Sequence, residues 1–391
     1  MMNRTADVVI IGGGIQGLST AYFLLKRGRS VTVIERGDLA QGTTSRSDGD
    51  IFVCDSTPGY FTQLQKAALR EIVALTEEID DFDWMSKGCV ILAENDAQME
   101  IARQQYQEKL AYGVRVRLMD QYEVHQDEPN TAPDIPGGLE FPDGGSLNPM
   151  LMAYALGRAI LRMGGTILRF TTVTGIETNA QGAVARIMTD QGAVACSCAV
   201  IAAGVWSRGI GQMAGLDIPI TPMKGDLLVL EPNVYITRRK TMDIGYSLLR
   251  HKKAGGADEV SFEQTHGIGF LVEPTNEKNA LIGFSKYPVG STASDLRVMQ
   301  AIARRAIRFF PVIRDMNVIR AYAGVRPWTP DHEAIVSATR VPGLYVNAGH
   351  AGDGIKLGPI SGKMMSQLLC GEATDFDLTP LRLDRFQEVK A

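Results

Sequence analysis

The fold is decided near the start of the chain, where residues 7–18 read DVVIIGGGIQGL. Asp7 to Ile11 is a short run rich in β-branched residues, which is typical of a buried strand. A helical pattern of apolar residues follows from about Ile15 to Arg27 and stops at Gly28. Ser30 to Ile34 is a second short apolar run and predicts a second strand. This stretch therefore predicts a strand, a helix and a parallel strand in the βαβ arrangement.

Glycines occupy the first, third and sixth positions of the turn between the first strand and the helix, at Gly12, Gly14 and Gly17. They allow a tight turn and a close approach of the backbone, while the helix N-terminus offers free N–H groups to a pyrophosphate. Glu35 ends the second strand, 23 residues after Gly12, where a carboxylate can accept hydrogen bonds from an adenosine ribose. The combination predicts a dinucleotide site. It does not distinguish NAD from FAD, because both carry the same ADP half.

The composition is that of an ordinary globular chain with ample material for a core. The 391 residues include 45% hydrophobic and 21% charged residues, and the formal net charge is -4. This charge gives no electrostatic basis for binding nucleic acid or an anionic membrane surface.

The five cysteines form no C-x-x-C pair, so a reducing cytoplasm fits best. No stretch approaches the roughly 18 consecutive apolar residues of a membrane span. We therefore expect a cytoplasmic protein with at most peripheral membrane contact.

Four later segments bear on the organisation of the chain. Gly42 to Gly49, GTTSRSDG, is a hydroxyl-rich loop suited to phosphate and flavin edges. A Pro- and Gly-rich stretch from Glu128 to Pro149 marks a boundary or crossing between lobes. Val200 to Ser207, VIAAGVWS, is an apolar strand ending in small residues, as if it returned to the first sheet. The charged stretch from Thr237 to His266 is too irregular to place; it could be a lid or a partner surface, and a solvated surface loop is the simpler interpretation.

Together these motifs resemble the D-amino-acid oxidase, glycine oxidase and sarcosine oxidase family, across nearly the whole chain. Besides the glycine loop, Glu35 and the GTTSRSDG loop, the resemblance rests on four segments that follow in the matching order: Gly145–Pro149 (GSLNP), Ala202–Ser207 (AAGVWS), Gly324–Asp331 (GVRPWTPD) and Gly349–Lys356 (GHAGDGIK). The set is specific for the family and not for a substrate.

The resemblance implies an α/β (α+β) fold, with a Rossmann-like FAD-binding domain and a second substrate domain built on a mixed/antiparallel sheet. The FAD-binding domain is expected to be discontinuous, comprising residues 1–85, 145–220 and 325–391, and the substrate domain to comprise 86–144 and 221–324. The residues expected to bind FAD are Gly12, Gly14, Ile15, Gln16, Gly17, Glu35, Arg36, Thr43, Thr44, Ser45, Gly49, Asp50, Val173, Ala203, Gly204, Trp206, Gly352, Asp353, Gly354, Ile355 and Lys356.

Two residues are candidates for binding a substrate carboxylate. Arg326 resembles the family arginine with this role, and a planar guanidinium can donate two parallel hydrogen bonds to a carboxylate. Lys356 matches a lysine that sarcosine oxidase-like members place against the same group. The competing interpretations are a structural ion pair for Arg326 and a surface position for Lys356. Tyr246, His266 and Tyr287 are candidate contacts for the rest of the substrate.

Three positions depart from the family pattern. Gly324 stands where sarcosine oxidases carry their flavin-linking cysteine, so we expect FAD to be noncovalent. Leu281 aligns with the family's oxygen-activating lysine. Without a cation there, the charge that develops on oxygen loses stabilisation, which favours a dehydrogenase over an oxidase. Asp353 stands where many relatives have histidine, and the sequence assigns no consequence to this change.

The expected activity is FAD-dependent oxidation of an amino acid or N-substituted amino acid. Hydride leaves the carbon next to nitrogen, and the imine product hydrolyses in water. A quinone, an electron-transfer partner or oxygen would accept the electrons. Three alternatives stay open: a flavin subunit of a larger dehydrogenase complex that oxidises D-hydroxyproline, proline or opines, an NAD-dependent dehydrogenase, and a redox-sensing dinucleotide-binding protein without turnover. The substrate side chain, its stereochemistry, the electron acceptor and the hetero- or homo-oligomeric state are also open.

Overall fold

The chain forms two large sheets, and the computed structural model describes residues 4–232, 234–245 and 261–386. The strands in chain order are β1 Arg4–Ile11, β2 Val31–Ile34, β3 Asp50–Ile51, β4 Met85–Ser86, β5 Cys89–Ala93, β6 Arg117–Asp120, β7 Gly137–Phe141, β8 Gly145–Ser146, β9 Thr166–Leu168, β10 Val173–Thr178, β11 Val184–Thr189, β12 Gly192–Ile201, β13 Thr221–Leu230, β14 Lys240–Asp243, β15 Leu271–Pro274, β16 Ala280–Gly283, β17 Val318–Trp328, β18 Ile335–Ala338 and β19 Leu344–Ala348. The helices are α1 Ile15–Lys26, α2 Tyr60–Glu78, α3 Asp96–Ala111, α4 Gln121–Asp127, α5 Pro149–Arg162, α6 Ser207–Gln212, α7 Phe262–Thr265, α8 Leu296–Phe309 and α9 Gly354–Cys370.

The first sheet has the predicted βαβ unit at its centre. β1 pairs in parallel with β12 on one side and with β2 on the other, and β2 pairs in parallel with β9. β12 is long enough to pair with β11 along its first half and with β19 along its second. The central strands are buried on both faces, which explains why Val8–Ile11 is an uninterrupted apolar run and why Val31–Ile34 contains only β-branched residues. Ligands of such sheets bind beyond the carboxyl ends of the parallel strands.

Helices α1, α2, α5 and α9 cover one face of this sheet and share a hydrophobic cluster with it. α1 and α9 lie side by side, and glycines on α9 allow their close approach. A Cβ added to Gly358 would lie 2.8 Å from the Ile15 side chain, and one added to Gly362 would lie 2.7 Å from the Ser19 backbone. Because both helices run in the same direction, their N-termini meet at one end of the sheet.

The second sheet is mixed and has the strand order β17-β13-β16-β15-β14-β5-β7-β6. Its strand pairs are antiparallel except for β14 with β5, which are parallel. Successive side chains alternate between two faces. Leu228 and Ile282 pack against α8 on one face, whereas Leu227 and Leu271 lie on the opposite face. That opposite face forms one wall of the cavity described below.

The two sheets confirm the expected α/β (α+β) architecture. The Pro- and Gly-rich stretch from Glu128 to Pro149 contains β7 of the second sheet and β8 of a small three-stranded sheet. α5 then begins with Pro149 in its first turn, capped by the Asn148 side chain, which accepts hydrogen bonds from two backbone N–H groups. The predicted domain limit at 324/325 falls inside β17, so the assignment of residues to domains stays a prediction.

The interpretation of residues 237–266 as a solvated loop is wrong for Lys240–Asp243, which forms the buried strand β14 inside the second sheet. The strand was hard to recognise because of its charged residues: Lys240 within it and Arg239 just before it are neutralised by acids from distant parts of the chain. Arg239 pairs with Asp127, and Lys240 pairs with Asp48. Residues 246–260 lie outside the described residues.

Within the described ranges, no helix is long and apolar enough to cross a membrane. In the same part of the chain, no group of three or more His, Cys, Asp or Glu side chains is placed to hold a metal ion. All five cysteines are free thiols.

Candidate active site

A cavity of about 770 Å³ lies between the carboxyl edge of the first sheet and the face of the second sheet that carries Leu227 and Leu271. The glycine loop after β1, the end of β2 and the N-terminus of α9 contribute to one side of it. β13, β14, β15 and β17 contribute to the other. Its volume lies within the range of about 300–1,000 Å³ that is usual for sites that bury organic ligands.

The glycine loop has the geometry that its sequence predicts. Gly12 has a φ of 120°, and a Cβ on this residue would lie 2.8 Å from the carbonyl carbon of Ala202, just after β12. A Cβ on Gly17 would lie 3.1 Å from the carbonyl carbon of Gly12. Gly14 is the N-cap of α1 and supplies no side-chain cap. Thr44 Oγ1 accepts a hydrogen bond from Ile15 N at 3.2 Å, so the GTTSRSDG loop closes over this helix end.

Glu35 is held at the end of β2 by two backbone donors. Its carboxylate accepts hydrogen bonds from Gly13 N at 2.8 Å and from Gly37 N at 2.9 Å. Each carboxylate oxygen has a second lone pair, so the oriented group can also accept from hydroxyls. This arrangement suits a ribose bound beside the glycine loop.

The N-terminus of α9 is joined to that of α1, because Gln16 Nε2 donates to Gly354 O at 2.8 Å. The N-cap of α9, Asp353, makes no side-chain capping bond. His350, just before this helix, is buried at the cavity wall, and its Nε2 lies 3.1 Å from Ser361 Oγ. Its Nδ1 is buried with no hydrogen-bond partner among the described residues. Burial lowers the pKa of His350 to about 4, so the imidazole is neutral at pH 7.

The far end of the cavity is lined by residues of β10 and of the turn after β12. The Arg36 guanidinium stacks 3.8 Å from the centroid of the Trp206 ring. The residues expected to bind FAD that line the cavity are Gly12, Gly14, Ile15, Gln16, Glu35, Arg36, Thr43, Thr44, Asp50, Val173, Ala203, Gly204, Trp206, Gly352, Asp353, Gly354 and Ile355. Gly17, Ser45, Gly49 and Lys356 lie behind this surface.

Arg326 lies on β17 at the cavity wall formed by the second sheet. Its Nη1 donates to Lys224 O at 3.3 Å and to Ser285 O at 3.2 Å. The guanidinium lies across Gly225 on the neighbouring strand: a Cβ at that position would be 2.5 Å from both Cζ and Nη2. Among the described residues, Nε and Nη2 have no protein hydrogen-bond partner, which leaves donors for a carboxylate.

Lys356 is placed differently from the expectation. Its ammonium group lies in a buried network behind the cavity wall, where Nζ donates to Phe52 O at 2.8 Å and to Gln65 Oε1 at 3.0 Å. Asp353 Oδ1 and Asp55 Oδ1 lie 3.2 and 3.5 Å from it. Although burial opposes the charged form, these carboxylates raise its pKa. Lys356 therefore ties α9 to α2 and to the loop before it, and the structure does not bring it to the cavity.

Two of the three remaining substrate candidates, His266 and Tyr287, do not line the cavity either. His266 stacks on Phe262 with ring centroids 4.1 Å apart. The Tyr287 hydroxyl donates to Asp226 Oδ2 at 3.3 Å, beneath the carbonyls that hold Arg326. Tyr246 lies outside the described residues.

Lys240 was not predicted from the sequence, yet it lines the cavity although its side chain is only 1% exposed. Its Nζ lies 2.9 Å from Asp48 Oδ2 and 2.9 Å from Asp50 Oδ2. β14 lies two strands from β16, which carries Leu281. A cation is therefore present at this wall, with two carboxylates beside it. The only signal in the sequence was that Lys240 and the apolar residues Met242 and Ile244 occupy every second position, as residues on one face of a strand do.

These features fit an FAD molecule. The N-terminus of α1, whose N-cap Gly14 has no side chain, and the absence of a side chain at Gly12 provide space and donors for a pyrophosphate. Glu35 can accept from a ribose, and Val173 and Trp206 line the far end, where an adenine would lie. Gly225 and Gly324 are paired across β13 and β17 at the cavity wall, and their lack of side chains leaves room there for Arg326 and Arg46 to lie against the sheet. His350 Nδ1 is a buried polar atom that a ligand could satisfy.

Comparisons with known proteins agree with this geometry. The family model described as FAD dependent oxidoreductase (DAO) matches residues 7–368. The chain is 29% identical to a glycine oxidase of Bacillus licheniformis over 382 residues, which is 95% of this chain and 94% of that protein. It is 25% identical to the mitochondrial sarcosine dehydrogenase of Mus musculus over 400 residues, covering 98% of this chain but 41% of that protein. The crystal structure of glycine oxidase from Geobacillus kaustophilus matches with a TM-score of 0.87 at 25% identity, covering 98% of this chain and 99% of that one. The chain belongs to the DAO family of FAD-dependent oxidoreductases and is an enzyme.

Proposed function

We propose that this enzyme oxidises the C–N bond of an amino acid or N-substituted amino acid. The observation that carries the proposal is Arg326, whose guanidinium lies over Gly225 at the cavity wall. Two backbone carbonyls hold one of its nitrogens. A guanidinium held in this way is a preorganised partner for a carboxylate. The names of the glycine oxidase and sarcosine dehydrogenase relatives support the same substrate class.

The protein contributes mainly by positioning the substrate. Arg326 would fix the carboxylate and so limit the orientations of the neighbouring α-carbon, which lowers the entropic cost of the reaction. Trp328, two residues further along β17, lines the same cavity, and Lys286 Nζ lies 4.2 Å from the centroid of its ring. Bound FAD supplies a hydride acceptor, and the imine product hydrolyses in water.

A dehydrogenase is a second form of this proposal, and Leu281 favours it. Lys240 is a cation of the cavity wall, on a strand two positions from β16, but Asp48 and Asp50 offset its charge. A partly neutralised cation stabilises developing negative charge on oxygen less than a free one does. The acceptor would then be a quinone or an electron-transfer partner, as for a flavin subunit of a larger dehydrogenase complex. Membership of the FAD-dependent family sets aside the NAD-dependent and redox-sensing alternatives.

The test is anaerobic reduction of the yellow holoenzyme. Glycine, sarcosine, D- and L-amino acids, proline and opines are added one at a time. A compound is a substrate if it abolishes the flavin absorption at about 450 nm. We expect bleaching by at least one compound that carries both an amine and a carboxylate. If only amines without a carboxylate bleach the flavin, the proposed role of Arg326 is wrong.

A further inference from the structure

The cavity wall contains a buried cluster of three charges, Asp48, Lys240 and Asp50. Asp48 and Asp50 belong to the GTTSRSDG loop and to β3, and Lys240 reaches them from β14 in the other sheet. The Lys240 side chain is 1% exposed, whereas those of Asp48 and Asp50 keep 18% and 30% of their surface accessible. All three residues line the cavity. The lysine therefore lies behind the carboxyl groups, which are the parts that face the cavity.

The cluster contains one more acid than base. An ion pair of Lys240 with a single carboxylate would suffice to join the loop to β14. A second carboxylate beside the first is repelled by it, which favours either a proton held between the two carboxyl groups or a further positive charge beside them. A ligand cation on the cavity side would supply such a charge when both carboxyl groups are ionised.

Arg326 lies on the same side of the cavity as this cluster. Its guanidinium crosses Gly225 on β13, towards β14, and its charge acts on Asp48. A ligand bound to Arg326 through a carboxylate therefore has acidic groups within the same cavity. An amino acid at neutral pH carries this pair of charges, a carboxylate and an ammonium.

We propose that Asp48 and Asp50 bind the amine of the substrate and that Asp50 takes a proton from its ammonium group. This inference rests on the proposed function. The step is balanced: the ammonium loses one proton and becomes a neutral amine with a free lone pair, and the Asp50 carboxylate gains that proton and becomes a carboxylic acid. The neutral amine is the form whose lone pair can assist loss of hydride from the adjacent carbon. The enzyme would then use the zwitterion, which is the abundant form of its substrate class.

The surroundings of Asp50 suit a group that accepts a proton near neutral pH. Burial raises its pKa to about 7, and the charge of Asp48 acts in the same direction. Lys240 on β14 and Lys356 on α9 oppose the rise. Cys89 on β5 also faces it. Glu273 on β15, paired with Lys87, faces Lys240 from the other side. Asp48 is also buried, but Lys240 lowers its pKa, so Asp48 stays charged while Asp50 titrates.

The test measures binding without turnover, using two probes of the same shape. N,N,N-Trimethylglycine carries a permanent cation and cannot be oxidised through a nitrogen lone pair. 3,3-Dimethylbutyrate has a carbon in place of that nitrogen and no positive charge. Affinities of the holoenzyme for both are measured by calorimetry from about pH 6 to about pH 9, where both probe carboxylates are ionised.

We expect the cationic probe to bind about tenfold more tightly at the upper end of this range, as for a charge pair in a partly solvated site. The sign follows from the ionisation of Asp50: above about pH 7 the carboxylate attracts the cation, and below it the protonated group does not. The preference should therefore decrease as the pH falls through about 7, to the smaller value that the charged Asp48 sustains alone. Equal affinities across the whole range, or no binding of the cationic probe, would overturn the proposal.

The variants separate Asp50 from the general charge of the cavity. Asp50→Asn should reduce the preference to the low-pH value of the wild type and remove its pH dependence, while the protein stays yellow. Asp55→Asn removes another carboxylate of the cavity wall, one paired with Lys356, and should keep both features. Equal losses in the two variants would contradict the assignment to Asp50. If Asp50→Asn does not fold, the pH profile of the wild type decides alone.

The result is separable from the proposed function. If an amino acid bleaches the flavin but the two probes bind alike, only the role of Asp48 and Asp50 fails. If no amino acid bleaches the flavin, the proposed function fails whatever the probes show.

Discussion

Gly225→Ala should slow the reaction although it adds a single methyl group and removes nothing. The new Cβ would lie 2.5 Å from Cζ and Nη2 of Arg326, whereas unstrained contacts are about 3.5 Å or longer. The guanidinium must therefore move by about 1 Å, away from the carbonyls of Lys224 and Ser285. A displacement of this size can cost about 100-fold in rate. We expect a loss approaching that value in anaerobic stopped-flow reduction of the flavin by the free amino acid, with unchanged FAD content.

Two controls test whether Gly225 acts through Arg326. Gly290→Ala adds the same methyl group 3.6 Å from Pro222, an ordinary contact, and should reduce at the wild-type rate. In the double variant Gly225→Ala, Arg326→Ala the first substitution should add little to the second, because residues that share one interaction are not additive. Wild-type rates in Gly225→Ala, or additive losses in the double variant, would refute the argument.

Three further predictions concern the flavin and its substrate. Because Gly324 carries no side chain for a covalent link, acid or heat should release FAD; flavin that stays with the denatured chain contradicts this. Because Leu281 provides no cation, the reduced enzyme should reoxidise slowly in air and quickly with a quinone or phenazine; stopped-flow rates in the opposite order would make it an oxidase. Arg326→Ala should weaken reduction by the free amino acid by about 2–5 kcal/mol, with Arg326→Lys recovering part of the loss. The corresponding amide should be much less affected, and equal rates for Arg326→Ala and wild type would place the carboxylate site elsewhere.

The sequence by itself determined the parts of this protein that depend on neighbours along the chain. The glycines at 12, 14 and 17 and the acid at 35 belong to one βαβ unit, whose turn and helix end are built from adjacent residues. The backbone leaves little freedom there, so the motif predicts the geometry. Arg326 was also recognisable, because its segment resembles the family's.

Tertiary structure alone decided which charges meet at the cavity. Lys240 joins Asp48, which is 192 positions away along the chain, and pairing of β14 with β5 and β15 sets the direction of its side chain. Lys356 shares a motif with the cavity residue Ile355, yet its side chain points to Phe52 and Gln65. A side chain's direction depends on strand register and on the partners that offset its charge after burial. Those partners come from distant segments, so the sequence pattern does not reveal them.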